Sequence, residues 1–385
     1  MNKKLVWYIL GGVLLGLLTV SLVATVALRI NAVPAADEEK AEAIPTTQPT
    51  STPTPPSTPA PKTYTISFIG DCTLASSQYN NDFEKKMNGD YSYPFKNTVK
   101  YFKNDNLTVA NLECSFSDKN MTSDGTFYFL APTSFANILV DGSVEFVTTA
   151  NNHRHDFAEA GIADTEAALD AVGVNHAGEN ETYIYDMDGV KVGFYCLFNR
   201  LVPTTSLVTK GIESLRAQGA EYIICALHWG VEGSYKVTAD QKSVAHAAID
   251  AGANVVYGSH PHVLQPIEEY DGGLILYSMG NWSFGGNTSP RDRDTAIVQL
   301  KVIKNPNGTL TTGEYEVIPC CLSSVPSVND YCPTPYEKDS EEYKRTLTKL
   351  DGTWTGKDLN VDYSHYHQNS DTTSTPSTKP TEPTE

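Results

Sequence analysis

Positive charge is what this chain has least of. Its 385 residues hold 28 lysines and arginines against 46 aspartates and glutamates, a formal net charge of −18. A surface of that sign repels phosphate backbones, so neither nucleic acid nor anionic lipid headgroups are expected partners. Cysteine is sparse and odd in number, at seven. None lies in or directly after the N-terminal apolar segment, so no thiol there can carry a lipid anchor. Cys196 and Cys225 sit inside apolar runs and read as buried thiols. Cys320, Cys321 and Cys332 cluster further on, where one disulfide fits an oxidising compartment and its pairing stays open. A glycine-rich phosphate cradle and an arginine clamp are not evident either. Arg291 and Arg293, after Gly285-Gly286, come nearest to one.

What the N-terminus does have is apolar length. Met1-Asn2-Lys3-Lys4 precedes an uncharged stretch over residues 5–28, and about 20 such residues cross a bilayer. The lysines before it and Asp37-Glu38-Glu39 after it orient the N-terminus inward. The expectation is a single-pass transmembrane anchor within residues 1–30, in the cell membrane, with the bulk of the chain extracellular. Cleavage near Ala35-Ala36 is the competing reading. Residues 31–62 are rich in Pro, Thr and Ser and read as an extended stalk. Residues 367–385 share that composition and read as a disordered tail. The folded domain is then residues 63–366.

Hydrophobic patterning within it places strands over residues 64–69, 107–112, 144–149, 182–187, 190–197, 222–227, 254–257, 274–277 and 295–302. Helices are expected over 162–172, around 212–218 and over 238–251, the last opened by a capping box of Thr238 and Gln241. Chemistry-bearing residues recur at strand ends, where α/β folds gather their sites. Asp71 follows the first strand and Glu113 the second. The third runs into Ala150-Asn151-Asn152-His153-Arg154-His155-Asp156, and a later one delivers His228-Trp229-Gly230. Another leads into Tyr257-Gly258-Ser259-His260-Pro261-His262-Val263. Pro261 has a fixed φ and no N–H, which stiffens the turn between the two imidazoles. Gly280-Asn281-Trp282 falls in a loop between strands. Gly258, Gly280 and Gly285-Gly286 are expected to let backbone approach a ligand closely.

Collected, Asp71, Glu113, Asn152, His228, His260 and His262 offer hard oxygens and imidazoles with no thiolate. That donor set suits one or two divalent metal ions, Mn, Fe or Zn, with Glu113 as the bridging carboxylate. Two such ions about 3.5–4 Å apart acidify water and clamp both oxygens of an in-line displacement.

Six motifs occur in a telling order. They are Phe68-Ile69-Gly70-Asp71, Asn111-Leu112-Glu113, Ala150-Asn151-Asn152-His153 with Asp156, His228-Trp229-Gly230, Gly258-Ser259-His260-Pro261-His262-Val263, and Gly280-Asn281-Trp282. This order resembles the calcineurin-like metallophosphoesterase superfamily, and within it the CapA-type poly-γ-glutamate capsule biosynthesis proteins. The likeness spans residues 64–302. It implies an α/β fold, a metallophosphoesterase-like β-sandwich of mixed sheets flanked by helices, preceded here by the transmembrane helix. It implies that Asp71, Glu113 and His262 line one cation site and Glu113, Asn152, His228 and His260 the other. His153 would be the catalytic general acid or transition-state stabiliser near the leaving group. Asp156, Asn281 and Arg291 are the candidate substrate contacts.

One departure bears on activity. Phosphoesterases of the superfamily usually carry Asp-x-His at the first motif, and Asp71-Cys72-Thr73 has Thr73 at the imidazole position. The leading expectation is a metal-dependent hydrolase or transferase acting in synthesis, export or release of poly-γ-glutamate. The alternatives are a non-catalytic, polymer-binding subunit of a membrane synthase complex, and a secreted phosphoesterase. Polymer and protein are both anionic, so cations or a local basic patch must bridge them.

Overall fold

The computed structural model describes residues 60–198, 204–359 and 361. The expected anchor in residues 1–30, nearly all of the expected stalk and the tail of residues 367–385 lie outside the described residues. Among the described residues no helix is long and apolar enough to cross a membrane.

The strands are β1 (Lys62–Thr73), β2 (Leu107–Leu112), β3 (Ser115–Phe116), β4 (Leu130–Ala131), β5 (Phe146–Thr148), β6 (Asn175–Ala177), β7 (Glu181–Met187), β8 (Val190–Phe198), β9 (Tyr222–His228), β10 (Val255–Ser259), β11 (Ile267–Tyr270), β12 (Gly273–Leu276), β13 (Asn281–Phe284), β14 (Asp294–Lys304), β15 (Leu310–Cys321) and β16 (Thr334–Pro335). The longer helices are α1 (Ala158–Val172), α2 (Thr205–Ala217), α3 (Ala239–Asp250) and α4 (Glu341–Leu350). One sheet has the order β16-β15-β14-β1-β2-β5-β6, with β13 paired to the end of β1. The other has the order β11-β12-β10-β9-β8-β7, and β3-β4 form a separate pair. In the first sheet β1, β2, β5 and β6 are parallel, while β14 and β15 are antiparallel. In the second, β12, β10, β9 and β8 are parallel and the edges β11 and β7 antiparallel. Both sheets are therefore mixed.

Side-chain alternation explains how they stack. Tyr64, Ile66 and Phe68 of β1 share a core with Val190, Val192 and Phe194 of β8 and Ile224 of β9. The opposite face of the second sheet, with Tyr195, Ile223 and Cys225, packs on Val208 and Ile212 of α2 and Val244 and Ala248 of α3. The outer face of the first sheet, with Ala110 and Val147, packs on Ala168 and Leu169 of α1. Every residue of β9 is buried, as a strand covered on both faces must be. Tyr257 ties the sheets together: its hydroxyl donates to the Ile69 carbonyl at 2.6 Å.

The structure differs from the sequence expectations at identifiable places. α2 begins at Thr205 rather than near 212, because the Thr204 side chain accepts from the Leu207 N–H and caps it. Residues 281–284 form β13 rather than a loop. The β1–β2 register shifts between Phe68 and Asp71, and β13 takes up the end of β1, starting where the Asp71 N–H donates to the Gly280 carbonyl at 2.8 Å. The glycines admit protein rather than ligand. A Cβ on Gly258 would lie 2.1 Å from the Tyr277 carbonyl oxygen, and one on Gly285 would lie 2.3 Å from that of Ala75. All seven cysteines are free thiols. Cys320 and Cys321 are neighbours on β15 and so point to opposite faces, and the Cys332 Sγ accepts from the Asn97 amide at 3.4 Å.

Beyond the expected strands, α4 is pinned to β14 by buried charge. Lys349 Nζ donates to both oxygens of Asp292 (2.8 and 2.7 Å) and to Asp294 (2.8 Å). Asp294 also takes two bonds from Arg345, at 2.8 and 2.6 Å. Replacing one partner of such a buried set strands the other charges. Lys349→Met is expected to cost about 3–5 kcal/mol in urea unfolding, and a loss below about 1 kcal/mol would contradict this account of the C-terminal helix.

Candidate metal centre

Strand ends from both sheets meet at one rim. β1 delivers Asp71, β2 leads into Glu113, and β5 leads into Asn151 and Asn152. From the facing sheet, β9 ends on His228 and β10 ends on Ser259, followed by His260 and His262. The two histidines flanking Pro261 take positive φ, +97° and +55°. Non-glycine residues adopt that region at a cost, and such strain is held only where surrounding structure enforces it.

Asparagines set the pose of the first carboxylate. The Asn151 amide donates to Asn111 Oδ1 at 3.0 Å, and the Asn111 amide donates to Asp71 Oδ1 at 2.9 Å. Asp71 Oδ2 accepts the His260 N–H at 3.2 Å and lies 3.3 Å from His262 Nδ1. His228 is oriented from behind, with Nδ1 2.9 Å from Ser259 Oγ. Its Nε2 then meets Asn152 Oδ1 at 2.6 Å and His260 Nδ1 at 3.1 Å. His262 Nδ1 lies 2.8 Å from Asn281 Oδ1.

Glu113 is the informative residue. It is fully buried, and neither carboxylate oxygen has a hydrogen-bond partner. Its Oε1 stands 3.7 Å from His228 Nε2 and 3.8 Å from His262 Nε2, too far for hydrogen bonds. Those gaps suit ligands sharing one cation, each bonded at about 2.0–2.2 Å. Ligand atoms of Asp71, Glu113 and His228 lie within 4.8 Å of one another, as do those of Glu232, His260 and His262. The residues therefore fit a divalent metal ion.

Electrostatics in the cation-free protein point the same way. Burial raises the Glu113 carboxyl well above its usual range, partly offset by His262. Burial lowers His228 well below the usual imidazole value, helped by His260 and His262. Burial and His262 push His260 down to about 4. Burial also acts to lower His262, but Glu113 and Asp71 outweigh it and hold that ring up at about 10. Burial thus favours the neutral, ligand-competent form of His228 and His260, while the two carboxylates draw His262 toward its protonated form.

The other expected residues fall differently. His153 Nδ1 is 2.9 Å from Asp156 Oδ2, and its ring packs against Phe129 at 4.6 Å between centroids. Asp156 Oδ2 also accepts the Phe129 N–H at 3.1 Å, so this carboxylate positions His153 rather than standing free for substrate. Asn281 is likewise engaged with His262. Arg291 is exposed, and among the described residues no hydrogen bond or ion pair ties it to the cluster. Thr73 is buried, and its hydroxyl has no partner. A cleft of about 570 Å³ opens beside the cluster, lined by residues 122–127 and by Asn152, His153, Asp156 and Glu232 among others. Sequence reasoning missed Asn111, Asn151, Ser259 and Glu232 as contributors. Each lies within four residues of an expected ligand, which was the available signal.

An α/β protein with acids, amides and imidazoles converging at the ends of parallel strands is, by class, a candidate metalloprotein. More narrowly, the chain belongs to the bacterial capsule synthesis protein family PGA_cap, which it matches over residues 65–285. That span contains all six expected ligands. The chain is 27% identical over 320 residues to the PGA biosynthesis protein CapA of Bacillus subtilis (strain 168), covering 76% of this chain and 80% of that one. It is 27% identical over 341 residues to the capsule biosynthesis protein CapA of Bacillus anthracis, covering 79% and 78%. Among solved structures it is similar to the NAD nucleotidase of Haemophilus influenzae, with a TM-score of 0.40 and 14% identity, over 76% of this chain and 63% of that one. A TM-score of that size decides nothing about the site.

Cation binding at this centre must displace the proton on His262. At pH 7–8 it is expected to release about one proton or more. Calorimetric titration with Mn²⁺ in buffers of different ionisation enthalpy checks this, and identical heats in every buffer would refute it.

Proposed function

We propose that this CapA-family protein acts in poly-γ-glutamate capsule biosynthesis as a metal-dependent hydrolase or transferase of metallophosphoesterase type, anchored in the cell membrane by residues 1–30. The observation that carries the site is Glu113, a buried carboxylate with two unpartnered oxygens set among imidazoles. Asp71, Glu113, Asn152, His228, His260 and His262 would hold one or two divalent ions of Mn, Fe or Zn. When bound, such ions supply Lewis acidity toward a carbonyl or phosphoryl oxygen and lower the pKa of water.

The chain's own groups do the rest. Asn111 and Asn151 orient Asp71, Ser259 orients His228, and Asn281 orients His262. Asp156 holds His153 through Nδ1, which leaves Nε2 to exchange a proton with a leaving group in the cleft. Among the described residues lining that cleft there is no lysine or arginine. Bound cations would supply attraction for an anionic polymer at this site.

A second reading follows from Thr73. With a buried hydroxyl at the position of the superfamily's imidazole, the domain would bind polymer without turnover, as an accessory subunit of a membrane synthase. One pair of measurements separates the readings. Metal analysis of the purified full-length chain at neutral pH is expected to find at least about one divalent ion per chain. The double variant His228→Ala/His260→Ala, in a capsule-producing host, is expected to abolish or strongly change polymer yield and chain length. A metal-free protein defeats the catalytic reading and leaves the accessory one, and unchanged polymer with the double variant does the same.

A further inference from the structure

Glu232 is not among the six residues assigned to the centre, yet the structure sets it beside them. The inference rests on the cation site proposed above. β9 ends at His228, and the chain then turns through Gly230 (φ +87°) and Gly233 (φ +75°), carrying Glu232 across the His260-Pro261-His262 loop. Backbone bonds seat the turn: the Trp229 N–H donates to the Ser259 carbonyl at 3.1 Å and the Gly233 N–H to the Pro261 carbonyl at 2.8 Å. A carboxylate oxygen of Glu232 lies within 4.8 Å of ring nitrogens of both His260 and His262, and those two nitrogens are equally close to each other. The same side chain lines the cleft with Asn152 and His153. Asp71 and Glu113 are wholly buried, whereas Glu232 is exposed.

The turn is also strapped from a distant part of the chain. The Leu359 N–H donates to the Gly233 carbonyl at 2.9 Å, and the Tyr235 N–H donates to Asp358 Oδ1 at 3.0 Å. The Tyr235 hydroxyl donates to Asp292 Oδ2 at 2.9 Å, on the carboxylate that Lys349 of α4 grips. All of these partners lie beyond residue 285, outside the span matched by the family model.

We propose that Glu232 is a further metal ligand: its carboxylate joins His260 and His262 to bind a divalent cation on the cleft side of the centre, and the C-terminal segment positions it there. Two imidazoles alone bind a hard divalent ion weakly, and an adjacent carboxylate supplies the anionic oxygen the site needs. The turn that carries Glu232 is held by backbone bonds, which bring its carboxylate to the side of the two histidines.

The test is Mn²⁺ binding to the full-length, metal-stripped chain in detergent, with bound and free ion counted by electron paramagnetic resonance. Wild type is compared with Glu232→Gln, Asp358→Ala and Glu113→Gln. Glu232→Gln is expected to weaken one bound Mn²⁺ by at least about tenfold while the Tm of the metal-stripped protein stays unchanged, because the residue is exposed. Asp358→Ala is expected to weaken the same ion by less, and Glu113→Gln to weaken Mn²⁺ binding most. If Glu232→Gln matches wild type in affinity and stoichiometry while Glu113→Gln loses Mn²⁺, the Glu232 assignment is overturned and the centre stands. If wild type binds no Mn²⁺, both fall. If Glu232→Gln weakens binding but Asp358→Ala does not, the positioning role of the C-terminal segment is overturned.

Discussion

Removing a carboxylate from water without giving it a hydrogen bond costs several kcal/mol, and Glu113 is in that position on both oxygens. The surrounding groups take their places in relation to that charge. His228 and His262 face it at distances too long for hydrogen bonds, and the acids Glu113 and Asp71 raise the basicity of His262. Asp71, held by a chain of two asparagine amides, supplies the second acid. The cluster is costly as a metal-free core feature and sensible as a cation site.

Neither sheet could build this centre alone. The first sheet contributes the acids and amides, and the second contributes the imidazoles. The segment linking β12 to β13 runs close against both strand ends, and Gly70 and Gly258 admit it: a Cβ on Gly70 would fall 2.2 Å from the Gly280 carbonyl oxygen and one on Gly258 2.1 Å from that of Tyr277. The Tyr257 hydroxyl on the Ile69 carbonyl then locks the sheets in register just below the site. The left-handed backbone at His260 and His262 is the strain that remains, held by the Asp71 contact to the His260 N–H and by Asn281 against His262.

The region beyond the family span is more than a terminus. β15, β16 and α4 extend the first sheet and its packing, and the buried Lys349–Asp294 pair, with Asp292 and Arg345 beside it, fixes α4 to β14. Through Tyr235, Asp358 and Leu359 that region reaches the turn carrying Glu232. The span matched by the family model and the region beyond it therefore converge on one rim of the cleft.

Much of this was written in the chain itself. Period-two alternation and β-branched runs marked β1, β2, β5, β7, β8, β9, β10, β12 and β14, because a half-buried or fully buried strand permits few other patterns, but β15, among the longest strands, and α4 were not read from the pattern. Polar residues placed directly after those strands marked the ligands, because an α/β fold exposes its strand ends at one rim. The order of motifs carried the family. What the linear text could not hold was distance. Asn281 became an orienting group only when β13 took up the end of β1, Asp156 was also engaged by the Phe129 N–H from a distant segment, and Glu232 came beside two histidines nearly thirty residues later in the chain through a turn at Gly230 and Gly233. The periodicity of a segment is local and survives in sequence, whereas the meeting of strand ends depends on which sheet each strand joins, and only the tertiary structure decides that.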